Sequence, residues 1–212
     1  MKCLASFFFL ATASLLAGCV AAVPTPVELA PRCGTTYYPT ILQQLSESSP
    51  DTVGPNRAAT DGDFYVGQTV TNGVVSGRTY QLVGFQGIAP GSYGCQLVFS
   101  LPASYPIATG GAPTAPPLNV TTVLRGNPAA IAYPNTFSFN AFPAQLAPGP
   151  GLFGTVVPTV GGTAVINSES CDPNLAFVFS VAGWTSQTAS LAFAESHAAG
   201  SPVAGVYLTA NC

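Results

Sequence analysis

Few side chains in this sequence have the type and spacing to do chemistry. Glu169 and Glu195 could form the carboxylate pair of a glycoside hydrolase, one acting as acid and the other as base or nucleophile. Such a pair must flank a sugar-sized cleft with its pKa values driven apart, and both residues border predicted strands. His197, in Ser196-His197-Ala198-Ala199-Gly200, could act as a general base. No Gly-x-Ser-x-Gly elbow accompanies it, so a solvated loop histidine is the simpler reading. Asp61-Gly62-Asp63 offers two carboxylates to a Ca²⁺ but lacks the other ligands of a calcium loop, and reads better as a turn. Trp184, in Gly183-Trp184-Thr185-Ser186-Gln187, suits either a sugar-stacking platform or a cap on the core. Asn119-Val120-Thr121 is an N-glycosylation sequon, here within a predicted strand. There is no phosphate-binding loop or dinucleotide fingerprint, so no catalytic residue and no cofactor is expected.

The cysteines are more informative. Cys3 and Cys19 lie in the N-terminal apolar run, leaving Cys33, Cys95, Cys171 and Cys212. With no Cys-x-x-Cys pair and a single histidine, zinc is a poor expectation. An even number of cysteines in an exported chain predicts two disulfides. Four cysteines permit three pairings. The closeness of chain ends in a sandwich favours Cys33–Cys212 with Cys95–Cys171.

Export itself is read from residues 1–22. Lys2 is followed by an uncharged apolar run that leaves through Gly18-Cys19-Val20-Ala21-Ala22, the layout of a signal peptide cut near Ala22. The run is borderline for a membrane span. Leu16-Ala17-Gly18-Cys19 also has the form of a bacterial lipobox, which would anchor the chain instead. The stretch 206–212 lacks the apolar tail of a lipid-anchor signal. The expectation is a secreted protein with no membrane association after cleavage. Residues 23–32, with Pro24, Pro26 and Pro31, form an extended lead-in.

Residues 33–212 then form one domain. Charged residues make up 6% of the chain, against about 25% in ordinary soluble proteins. Beyond Ala22 the cations are Arg32, Arg57, Arg78 and Arg125, too scattered to neutralise a phosphate backbone or an anionic bilayer. Nucleic acid is therefore excluded as a partner class. The chain is 48% hydrophobic with 13 Phe and 8 Tyr, so it can bury a core. Its surface must be built from hydroxyls and amides.

The elements that would position these groups are mostly strands. Thr40–Glu47 alone suits a short N-terminal helix, with Pro39 in its first turn and Ile41, Leu42 and Leu45 on one face. From Phe64 onward, short apolar or alternating runs between turn signals predict strands at 64–70, 78–85, 93–101, 118–124, 136–140, 152–157, 163–167, 175–181, 190–194 and 203–209. The stretches 103–117 and 141–151 read as loops. About ten strands of this kind predict an all-β fold, a single β-sandwich or jelly-roll-like domain.

Several segments together resemble a known family. They are Tyr37-Tyr38-Pro39-Thr40 with Ile41-Leu42-Gln43-Gln44, Leu82-Val83-Gly84-Phe85, and Gly91-Ser92-Tyr93-Gly94-Cys95-Gln96-Leu97. Later come Leu152-Phe153-Gly154-Thr155, Ile166-Asn167-Ser168-Glu169 before Cys171, Leu175 to Ser180, and Trp184 to Thr188. From Cys33 to Cys212 the chain resembles the fungal secreted ubiquitin-three-binding protein C-terminal domain family, also called the But-two family. The resemblance implies a β-rich domain with no established activity and no catalytic residues to carry over. The family name implies binding to a subunit of an enzyme that activates a ubiquitin-like protein, an intracellular partner that an exported chain does not meet. The functional expectation is a non-enzymatic extracellular or cell-wall-associated module touching wall polysaccharide or wall proteins. The alternatives are a glycan-binding domain and, further off, a glycoside hydrolase.

Overall fold

Alternation along the chain dictates sheet. In Val74–Gln86, Val83 and Phe85 point to one face, and Tyr80 and Leu82 to the other, with both faces apolar. Asn72 and Gly73, with φ of 53° and 78°, turn the chain tightly before this strand. Both residues tolerate the left-handed region that the favoured two-residue hairpin turn demands.

A computed structural model describes residues 33–123, 132–145, 151–198 and 200–212. The proposed signal peptide and lead-in lie outside the described residues. The described strands are β1 (Thr35–Tyr37), β2 (Ile41–Ser46), β3 (Asp63–Thr71), β4 (Val74–Gln86), β5 (Cys95–Ser100) and β6 (Ala108–Gly110). They continue with β7 (Leu118–Thr122), β8 (Leu152–Val156), β9 (Thr163–Glu169), β10 (Asn174–Val181), β11 (Ala189–Ala194) and β12 (Gly205–Ala210). They form an all-β domain of two antiparallel sheets, consistent with a β-sandwich. The smaller has the order β1-β12-β5-β9. The larger has eight strands in the order β6-β11-β3-β4-β10-β7-β8, with β2 also paired to β4.

Between the sheets lies the main core, including Phe64, Phe85, Leu97, Phe99, Phe177, Phe179, Val206 and Leu208. Phe64 is its hub, stacking on Phe193 at 4.6 Å and meeting Phe179 and Phe99 edge-on at 5.5 and 6.2 Å. Disulfides join Cys33 to Cys212 and Cys95 to Cys171, with Cα separations of 4.3 and 5.1 Å.

Thr40–Glu47 is not a helix. Its centre is β2, in register with β4 from Ile41 opposite Gly84 to Ser46 opposite Thr79. The spacing of Ile41, Leu42 and Leu45 suits a helix only if all three face one way. Here Leu42 enters the main core while Ile41 and Leu45 pack on the opposite face of the sheet, an arrangement that needs the strand's two-residue period. Nor is 136–140 a strand. Phe137, Phe139 and Phe142 instead form an irregular cover over the outer face of the larger sheet. Phe137 is fully buried there, and Phe139 stacks on Tyr80 at 5.1 Å. The Gln43 Nε2–H donates to the Phe137 carbonyl at 2.8 Å, fastening the cover to β2. The stretch 103–117, read as a loop, contains β6, which pairs with β11. Within 141–151 a short 3-10 turn occupies Phe142–Gln145. The strand read as 118–124 ends at Thr122, and Leu124 lies outside the described residues.

Candidate functional site

The smaller sheet has one face in the core and one open face. Alternation sends Leu97, Phe99, Val206 and Leu208 inward, so Gln96, Val98, Ser100, Tyr207 and Thr209 face out. Cross-strand register then sorts these side chains into lanes. Tyr207 stands opposite Val98, and Val98 opposite Val165, which makes an aromatic and apolar lane. On one side Thr36 pairs with Thr209, and Thr209 with Gln96. On the other, Ser100 pairs with Thr163, their hydroxyls 2.7 Å apart. Thr36, Gln96, Val98, Thr163, Val165, Tyr207 and Thr209 line a trough of about 350 Å³, with Cys33 at its edge. Val98 lies deep in it, only 4% exposed, and Ser100 is buried beside Thr163 outside the lining. None of these side chains is acidic or basic.

Tyr38, one residue past β1, continues the register toward Tyr207. Its ring stacks on the exposed His197 ring, 4.5 Å away and 13° from parallel. Burial pushes the Tyr207 phenol pKa above its ordinary value, and the neighbouring Tyr38 phenol adds to the shift. Tyr207 therefore offers a neutral hydroxyl and a half-buried ring at neutral pH. Elsewhere, a larger hollow of about 540 Å³ lies between the 113–115 and 157–160 loops. Its lining is Ile, Val, Pro, Ala and Thr, without an amide or an aromatic ring to orient a ligand.

The two glutamates are not brought into a pair. Glu169 stands opposite Cys95, at one end of β5. The Glu195 carboxylate accepts the Val206 N–H, at 2.9 and 3.0 Å from its two oxygens, and Val206 stands opposite Phe99. Four residues of strand separate these points, about 13 Å. A retaining pair needs about 5 Å and an inverting pair roughly 6.5–9.5 Å.

Glu195 instead fastens one sheet to the other. It follows β11 of the larger sheet, its N–H bonds the Gly62 carbonyl at 2.8 Å, and its carboxyl holds the start of β12 in the smaller sheet. A side chain at Gly205 would collide with that carboxyl, and Gly205 has a φ of 112° that favours glycine. Burial drives the Glu195 pKa well above the ordinary carboxyl value of 4.5, opposed only by the Val206 N–H. The native state therefore keeps a proton that the unfolded chain releases. The stability this supplies is complete below about pH 4.5 and is lost as pH rises through the native pKa. Glu195→Gln, which never ionises, is expected to be more stable than the parent, by a margin that widens from pH 4.5 upward. Urea unfolding at a series of pH values checks this. A margin that stays flat or narrows as pH rises contradicts it.

Trp184 is 64% exposed in the turn after β10, so it does not cap the core. Asp61 accepts from Arg57 and from the Asp63 N–H, and Gly62 has a φ of 64°, which is turn geometry. Backbone bonding from Asp63, then the Arg57 charge, holds the Asp61 carboxyl below its usual value. Among the described residues no group of three or more candidate metal ligands occurs. Asn119 is in β7, its Oδ1 accepting from the Thr155 hydroxyl at 3.1 Å. Nothing in the sequence marks Tyr38, Tyr207, Gln96, Thr36 or Thr209 as a site residue. Alternation in 205–210 marks Tyr207 and Thr209 as outward, but the meeting of β1 with β12 is set by residues far apart in the chain. Searched against family models and curated proteins, the chain matches none.

Proposed function

We propose that the domain is a secreted, non-enzymatic extracellular or cell-wall-associated module of the But-two C-terminal type, working by contact rather than turnover. One observation carries this: among the described residues, the outer face of the smaller sheet holds an uncharged trough lined with hydroxyl, amide and phenol groups. The corresponding face of the larger sheet is covered by Phe137, Phe139 and Phe142. An open face without charge favours neutral, hydrated partners over phosphate-bearing ones. The separation of Glu169 from Glu195 removes support from the hydrolase alternative. The native protein is expected to begin at Val23 by mass spectrometry. It is also expected to co-sediment with isolated wall material while releasing no soluble sugar from it. Sugar release that depends on the folded domain would overturn the contact reading.

A further inference from the structure

We infer that the open face of the smaller sheet is a binding site for a neutral polysaccharide chain, lying along the lane from Tyr38 through Tyr207 and Val98 to Val165. This rests on the contact function proposed above and names its partner. A pyranose ring is amphipathic: its C–H face is apolar, and its rim carries hydroxyls that both donate and accept. The trough repeats that pattern. The Tyr207 ring and the exposed Val165 supply an apolar floor on either side of the nearly buried Val98, while Thr36, Thr209 and Gln96 on one side and Thr163 on the other supply a polar rim.

Hydroxyls and an amide both donate and accept, as a sugar rim requires. The lane crosses four strands, roughly 14 Å at the usual strand spacing, which leaves room for more than one ring. Among the described residues the lanes hold no Asp, Glu, Lys or Arg to favour a charged polymer. The His197 ring braces Tyr38 at the lane's end. A glycan on Asn119, in β7 of the other sheet, would leave the face open.

The test uses the secreted protein with insoluble β-1,3-glucan, cellulose and chitin, and with polygalacturonate as an acidic control. Co-sedimentation with at least one neutral polymer is expected, and it should persist in high salt because no ion pair contributes. Tyr207→Ala should lower retention about ten-fold or more. Because Tyr207 is half-buried, Val165→Asp is the second variant. Val165 is 50% exposed, so a charge there should spare the fold, read by near-UV circular dichroism, while abolishing retention. Trp184→Ala should bind like the parent.

Retention by none of the neutral polymers would overturn the inference. So would retention lost in high salt, or retention unchanged in a folded Val165→Asp. If wall material retains the domain only until it is treated with protease, and the pure polymers do not, the partner is a wall protein. The contact function then stands and this inference fails.

Discussion

Phe64→Ala is expected to lower the unfolding free energy by about 3–5 kcal/mol, the cost of truncating a buried phenyl ring in a core that cannot fully collapse. Phe64 has no solvent exposure and packs against Phe99, Phe179 and Phe193, so three rings lose a neighbour at once. Those rings come from both sheets: Phe99 from β5 of the smaller, Phe179 and Phe193 from β10 and β11 of the larger. The cavity would therefore open between the layers rather than within one. Equilibrium urea unfolding measures the loss, and exposed Trp184→Ala, expected within about 0.5 kcal/mol of the parent, serves as the control. A Phe64→Ala loss below about 1 kcal/mol would mean that the ring is not the hub.

Removing the Cys33–Cys212 disulfide with a double serine variant is the other large effect. The bridge closes a loop with a sequence separation of 179, for which the chain-entropy estimate is about 5 kcal/mol. That is an upper figure, and losses of about 2–5 kcal/mol are usual for a native bridge. β1 should suffer first. It is three residues long, sits at the edge of the smaller sheet, and among the described strands pairs only with β12. Hydrogen exchange should find the amides of residues 35–37 deprotected in the variant well before those of β5. Equal protection of β1 with and without the bridge would show that the ladder to β12 holds the edge unaided.

The all-β architecture was legible because its signals are local. Runs such as Leu175–Val181 and Thr163–Asn167 carry their own pattern, and the structure places β10 and β9 over them. The errors fall where the decisive partner is distant. Ile41, Leu42 and Leu45 have a spacing compatible with either period, and β4 decides the matter by offering an open ladder. Phe137 and Phe139 alternate as a strand would, yet they cover a sheet face rather than join an edge. The trough was illegible for the same reason. Tyr38 and Tyr207 are neighbours only because β1 pairs with β12, and nothing local to either tyrosine announces it. Trp184 drew attention by residue type, whereas the lanes were built by register from ordinary Thr, Val, Gln and Tyr.

The 4.3 Å between the Cα atoms of Cys33 and Cys212 also has a mechanical consequence. Tension applied across these two residues runs through the covalent sulfur bridge and not through the β1–β12 hydrogen bonds. The sandwich sits as a closed loop beside that load path. Held under pull, the domain would extend by almost nothing and keep its trough in shape. Once the bridge is reduced, the same pull would act in shear or peel on β1 and open the smaller sheet from its edge.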